Sequence, residues 1–454
     1  MNQVTRRQLF RGSVALLTAP GLVSLSACAV TPAPLPASEA SPVSTPASTV
    51  ALAGVVQEGE RFTLEVLTDF PPQYLEYTTG SIHPRLEEMH PGATVQYLPF
   101  DLTRLEEHLL VARAAGVMPD LFRLDETLLP RVANDELSLP LDERVAEWGV
   151  EDDFYPAALS CVRWKGRTWG LPQMVSPRHY CYRRDITEEA GVQIPDEWTW
   201  DDMLEAAIRL TVVEEGKVVR LGSSCPVDFR EFWGALRAAG GRLIANGKPA
   251  FGDEAGLWAL KWITQRNTAL VPEGTAPLDE SSIPHFAAGR WAIAYGHVGG
   301  HWADVRRYAP DKAALVSVPQ PPLQERRVCP IDTGWLAMAA TTRYAEAAWD
   351  YLKLHLEPEP LAVLNQGLAW VPPRRSAAET AEYMSDPVMR KTEQNLAQYG
   401  EPFEAIPEWR RFEWIIEQAI EAAVLGLGTP EEALADAAAQ ADRIMAGYPD
   451  WPRS

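Results

Sequence analysis

Between Phe62 and Leu124 short β-rich runs alternate with amphipathic helical ones, and this order restricts the fold more than any other feature. Phe62 to Leu67 alternates apolar and polar residues and ends at Thr68-Asp69-Phe70. Ile82 to His90 reads as a helix closed by Pro91-Gly92, and Thr94 to Leu98 as a second strand. Leu102 to Ala115 is a strongly periodic helix stopped by Gly116, and Pro119 to Leu124 a short buried strand. Strands alternating with amphipathic helices predict βαβ units and a mostly parallel sheet. Small molecules bind such sheets beyond the C-terminal strand ends, which marks Asp69, Phe70 and Asp125 as rim residues.

The second half keeps the style without repeating the sequence. Trp200 to Thr211 follows Thr199 and carries Asp201 and Asp202 in its first turn, where carboxylates suit the helix dipole. Glu254 to Arg266, Arg343 to Glu357, Arg410 to Leu425 and Pro430 to Ala446 are further helices. Thr429, Pro430 and Glu432 supply the last with a capping box and a proline at its first position.

The N-terminus reads as an address. Met1 to Arg11 holds Arg6, Arg7 and Arg11 and no acid, and an apolar run from Val14 to Leu25 follows. That run is short of the roughly 20 apolar residues a membrane span needs, so residues 1–27 read as an export signal. Thr5-Arg6-Arg7-Gln8-Leu9-Phe10 resembles a twin-arginine signal, the general export route being the alternative. Leu25-Ser26-Ala27-Cys28 resembles the lipobox of bacterial lipoproteins, which implies a lipidated Cys28, a membrane anchor and an extracytoplasmic location. Residues 28–58 are rich in Pro, Ala, Ser and Thr and read as a disordered, extended tether.

The remaining body, about 400 residues, is long enough for two cores. Cleavage after Ala27 removes three arginines and takes the net charge from −21 to −24. Such an acidic balance argues against nucleic acid as a partner. Cys161, Cys181, Cys225 and Cys329 are too widely spaced for a zinc signature, while disulfide pairing and buried free thiols both stay open.

Five separated blocks resemble, in order, the family 1 extracellular solute-binding proteins, which include the maltodextrin-binding and other sugar-binding proteins. The first is His90-Pro91-Gly92 with Ala114-Ala115-Gly116-Val117-Met118-Pro119-Asp120. The second runs from Gly170-Leu171-Pro172 through Tyr182-Arg183-Arg184-Asp185 to Trp198-Thr199-Trp200-Asp201-Asp202. Phe286-Ala287-Ala288-Gly289-Arg290-Trp291-Ala292-Ile293 is the third. Thr333-Gly334-Trp335, Glu346 to Leu352 and Val371-Pro372-Pro373-Arg374 form the fourth, and Thr429 to Leu434 the last. Two departures fall near the expected cleft: Arg183 stands where the family has Asn, and Gly296-His297-Val298 leaves the usual Trp without a clear counterpart.

The resemblance implies a type II periplasmic-binding-protein fold, in which two α/β lobes are joined by crossover hinge segments around a ligand cleft. The lobes are expected at 59–172 with 322–357 and at 173–321 with 358–446, leaving a tail at 447–454. It also implies a monomer that captures a carbohydrate by hinge closure and delivers it to ABC permease subunits, with no catalysis, cofactor or metal. Trp offers the largest flat surface for a sugar ring, and this chain holds 16. Trp200, Trp258, Trp262 and Trp349 lie in helical patterns and read as core. Trp302, Trp335, Trp370 and Trp409, with Tyr182, are cleft candidates, each with core packing as the alternative. Asp332, Thr333 and Gly334 complete the set, with turn capping as the alternative for Asp332. Arg178 and Arg183 suit an anion, a surface ion pair being the commoner explanation.

Other classes find little support. No Gly-x-Ser-x-Gly elbow, His-Glu-x-x-His or phosphate loop is present. His297 and His301 have metal-ligand spacing, but two glycines separate them. A secreted carbohydrate-active enzyme with paired carboxylates and a binder of a phosphorylated sugar or glycerol compound are the alternatives carried forward.

Overall fold

The computed structural model describes residues 61–100, 104–449 and 451. The expected export signal, Cys28 and the whole expected tether lie outside them. Three parallel strands start the fold: β1 (Phe62–Leu67), β2 (Ala93–Leu98) and β3 (Leu121–Asp125), with β1 in the middle. Their crossovers carry α1 (His83–Met89) and α2 (Leu105–Ala115). Alternation places Phe62, Leu64 and Val66 in the core and leaves Thr63 in solvent. Gly116 ends α2 in the left-handed conformation (φ 69°), where glycine carries no Cβ penalty.

The other strands of the same sheet are β4 (Leu171–Arg183), β5 (Val212–Glu214), β6 (Lys217–Ser223), β7 (Trp291–His297), β8 (Val316–Ser317), β9 (Cys329–Met338) and β10 (Gly400–Pro402). Together the ten strands form one sheet with the main path β2-β1-β3-β9-β4-β7-β6-β5. It is mixed rather than mostly parallel, because the long strands β4 and β9 each run antiparallel to their neighbours on this path. β4 changes neighbour midway. Up to Pro177 it pairs with β9, and from Arg178 onward with β7. This strand therefore links the two ends of the sheet.

The helices that follow include α3 (Leu129–Asn134), α4 (Trp200–Leu210), α5 (Phe229–Ala238), α6 (Glu254–Leu270), α7 (Val298–Tyr308), α8 (Ala345–His355), α9 (Trp409–Val424) and α10 (Pro430–Met445). Thr199 with Asp202 and Thr429 with Glu432 form full capping boxes at α4 and α10. Trp200, Trp262 and Trp349 are buried, and Trp258 packs against the core, as their helical spacing predicts.

Leu361, Leu364 and Ala377 share a hydrophobic core with Leu64, Val66 and Leu86, whereas Ala369 and Val371 join Val298 and Trp302. The segment from 358 to 377 therefore packs into both cores, and not only into that of the second lobe expected from the sequence. Cys161, Cys181, Cys225 and Cys329 are all free thiols. No described helix is long and apolar enough to cross a membrane.

Candidate ligand-binding cleft

β9 carries the centre of the site. At Gly334 a Cβ would lie 2.6 Å from Arg123 Nη2 and 2.9 Å from Met174 Cγ, so only glycine lets the Arg123 guanidinium pass. Arg123 then donates to Asp69 Oδ2 at 2.6 Å, which fixes the loop after β1. The fully buried Trp335 donates its indole N–H to the Asp125 carbonyl at 2.8 Å, tying β9 to the end of β3. Asp125 in turn caps the short turn Glu126–Leu128, its Oδ1 accepting from the Thr127 amide at 3.0 Å and from the Thr127 hydroxyl. That turn swings Glu126 back to accept from the Thr333 amide at 2.9 Å.

Next to Thr333, Asp332 joins the two ends of the sheet. It accepts from Arg178 Nε on β4 and, at 3.1 Å, from Arg230 Nε on α5. Arg230 also donates to Glu413 on α9 at 2.5 Å, and Arg178 Nη1 lies 3.9 Å from Asp228. Burial opposes ionisation of Asp332, but Arg178, His297 and Arg230 outweigh it and hold the carboxyl well below its ordinary range. Glu126 goes the other way: burial, then Asp332 and Asp125, push its carboxyl well up. Burial and then Glu413 raise Glu417 to about 7.

His297 completes the floor at the end of β7. Arg178 Nη2 lies 2.9 Å from its Nε2, and Ser176 Oγ 2.6 Å from its Nδ1. Since arginine can only donate, Nε2 must accept and Nδ1 carries the proton. Burial, with Arg178 second, lowers this imidazole to about 4, in keeping with a neutral ring. Its face stacks on Trp370, centroids 5.2 Å apart.

Beside this network a cavity of about 430 Å³ opens between Asp125, Thr127 and Arg131 on one wall and Trp409, Tyr448 and Trp451 on the other. Small-ligand pockets span about 300–1,000 Å³, so the volume suffices. Trp409 packs edge-on against Phe229 at 5.0 Å and is only 5 % exposed. Its indole N–H has no partner among the described residues. A buried donor without an acceptor is costly.

The sequence candidates therefore divide. Asp125, Asp332, Thr333, Gly334 and Trp335 are brought together around β9, with Asp69 linked through Arg123, Trp370 through His297, and Trp409 on the cavity wall. Gly334 and Trp335 act through packing, because the Trp335 ring is enclosed and offers no face to the cavity. Phe70 is buried against Tyr74 and stacked on His355 in the first lobe's core. Trp302 lies under the Arg306 guanidinium in another apolar cluster. Tyr182 lies four residues beyond Arg178 on β4, opposite Ile293 and Ser317. At about 3.3 Å per residue it is roughly 13 Å from the network.

Both arginines pair with acids as the commoner explanation holds, but neither pair is on the surface. Arg183 is buried, donates to both oxygens of Asp185, and also donates to the carbonyls of Phe286 and Ala287. Its departure from the family's Asn thus secures the segment before β7. Sequence reasoning missed Arg230, Glu126 and Glu413, and treated His297 only as a metal candidate. Among the described residues no three His, Cys, Asp or Glu side chains are grouped to hold a metal. The one signal available was local: Asp228 lies just ahead of α5 as its N-cap, accepting from the Glu231 amide at 2.9 Å.

Comparison with known proteins agrees with this architecture. The family model described as bacterial extracellular solute-binding protein matches residues 82–391. A binding protein of Brucella abortus (strain 2308) is 23 % identical over 413 residues, covering 88 % of this chain and 96 % of its own. Among solved structures, the sugar-binding protein MalE from Xanthomonas citri superposes with a TM-score of 0.74 at 19 % identity, over 85 % of this chain and 98 % of that one. UgpB from Mycobacterium tuberculosis, in complex with glycerophosphocholine, superposes with a TM-score of 0.69 at 17 % identity, over 86 % and 100 %.

Proposed function

Since this chain belongs to the bacterial extracellular solute-binding protein family, we propose that it captures a sugar or oligosaccharide outside the cytoplasm and delivers it to the permease of an ABC importer. The observation that carries this reading is the cavity of small-ligand size between Asp125 and Trp409, lined by polar groups on one side and aromatic rings on the other. A sugar supplies hydroxyls for Asp125, Thr127 and Arg131 and C–H faces for the rings of Tyr448 and Trp451. The sugar-binding protein of Xanthomonas citri, of the same fold, favours the same class.

In this reading the two lobes close on the solute because it touches both at once. β4 is the hinge element, since it serves β9 with one half and β7 with the other. The solute is returned unchanged and the chain acts as a monomer. A phosphorylated glycerol or sugar compound, the class that the UgpB structure brings to mind, is disfavoured by the guanidiniums. Arg178 and Arg230 are each already paired with carboxylates, so an anion there would meet Asp332 and Glu413 as like charges.

The anchor is the second part of the proposal. Cys28 receives the lipid, and residues 28–58 hold the body away from the membrane. Replacing Cys28 by Ser should move the protein from the membrane fraction to the soluble one. Thermal shift against neutral sugars tests the ligand class, since binding to the native state raises the melting temperature. No shift with any carbohydrate, and a clear one with glycerol phosphodiesters, would overturn the sugar reading.

A further inference from the structure

The charges around Arg230 are not balanced. Asp332, Glu126, Glu413 and Asp228 all lie close enough to act on this one guanidinium, and Glu417 approaches from the next turn of α9. Arg178 is the second cation, shared between Asp332 and Asp228. Arg410 reaches only the far oxygen of Glu413, at 3.2 Å. Glu126 and Glu417 each accept a single backbone N–H, from Thr333 at 2.9 Å and Phe229 at 3.3 Å. Among the described residues neither has a cation in hydrogen-bond contact.

An independent feature points into the same place. The Tyr295 hydroxyl, on a side chain only 8 % exposed, has no partner among the described residues. Its charged neighbours are Asp228, Arg178, Glu231 and Asp332. Of these, Glu231 is already taken by both guanidinium nitrogens of Arg266 and by Tyr180. A buried hydroxyl beside an acid with a weakly held oxygen lacks a group that bonds to both.

We infer that the captured solute carries a protonated amine, held by the carboxylates gathered round Arg230 beside the Tyr295 hydroxyl. Resting on the sugar reading, this makes the ligand an amino sugar or an oligosaccharide that bears one. A primary ammonium has three donors and no acceptor, which matches a site with surplus acceptors. Charge-assisted bonds of this kind are roughly twice as strong as neutral ones. The mature chain's charge of −24, three arginines below the full-length −21, also draws cations toward the cleft. Binding has a proton consequence. An arriving cation lowers the raised carboxyl pKa values of Glu126 and Glu417, so protons leave for the buffer as the amine docks.

The test is calorimetry on the mature chain with one β-1,4-linked disaccharide in free-amine, N-acetylated and plain hydroxyl forms. At about pH 6.5 a sugar amine is still largely protonated, given about 7.7–8.0 for α-amino groups. The free-amine form should bind about tenfold or more tighter than the other two. Its heat should change with the ionisation enthalpy of the buffer in the sense of proton release. The amine-to-hydroxyl affinity ratio should fall toward one in D228N and in E126Q. The buffer experiment needs only the wild-type protein, so a variant that fails to fold does not shield the idea. Equal binding of all three forms sinks the amine and leaves the sugar reading intact. Binding of putrescine but of no disaccharide keeps the amine and removes the sugar. No binding by any of the four removes both.

Discussion

The indole N–H of Trp335 donates to the backbone carbonyl of Asp125 at 2.8 Å, across the antiparallel pairing of β9 with β3. The two residues lie 210 positions apart in the chain, yet this bond sets where the Asp125 carboxylate points. Trp335→Phe keeps most of the apolar volume and removes the donor. It should cost about 1–3 kcal/mol of stability, because the carbonyl loses its partner in a buried place. Urea unfolding gives the stability, and the same variant titrated with a sugar that shifts the wild type should bind more weakly.

Gly334→Ala tests the close approach beneath β9. Its methyl would press on Arg123 Nη2 and Met174 Cγ, both nearer than 3 Å to the place that carbon would take. Overpacking of this kind costs about 1–3 kcal/mol. The melting temperature should fall, and trimming the obstruction with Met174→Ala in the same chain should recover part of the loss. Absence of that coupling in the double mutant would argue against the contact.

Arg230→Met removes a cation that holds Asp332 and Glu413 together. Breaking a buried pair from one side costs about 3–5 kcal/mol. Without Arg230 both carboxyls are raised, so the variant binds more protons when folded than when unfolded. Its deficit should therefore be largest near about pH 8 and shrink toward about pH 5. Chemical denaturation at the two pH values measures it.

Glu417 supplies a pH signature of its own. Its carboxyl is raised to about 7, by burial first and then by Glu413. A raised carboxyl gives stability that is present below the unfolded value and is lost as pH rises through 7. Glu417→Gln mimics the neutral form at every pH, so its advantage over wild type should grow between about pH 5.5 and pH 8. Partial exposure screens the effect, leaving about 1 kcal/mol. A pH-independent difference between the two proteins would contradict this origin.

Much of the architecture was legible because it is local. The alternation in Phe62–Leu67, the period of Leu105–Ala115 and the caps at Thr199 and Thr429 each depend on residues within a few positions of one another. Asp125 was legible as a rim residue for the same reason, since a strand end is visible in the chain. The placement of helix 358–368 was not legible, because it is amphipathic whichever core it covers, and only the packed fold sets Leu361 and Leu364 in one core with Leu64 and Val66.

By itself the sequence determined the alternation of strands and helices from Phe62 to Asp125, the capped helices that begin at Trp200 and Pro430, and an acidic net charge. The tertiary structure alone decided which charges meet. Arg230 and Glu413 are 183 residues apart and Arg178 and Asp332 are 154 apart, and no periodicity links such positions. Hydrophobic period reports which face of an element is buried, whereas an ion pair depends on how two finished elements are set against each other. Aromatic candidates followed the same division: Trp335 and Trp302 are as apolar in sequence as Trp409, and only the packed fold puts Trp409 on a cavity wall.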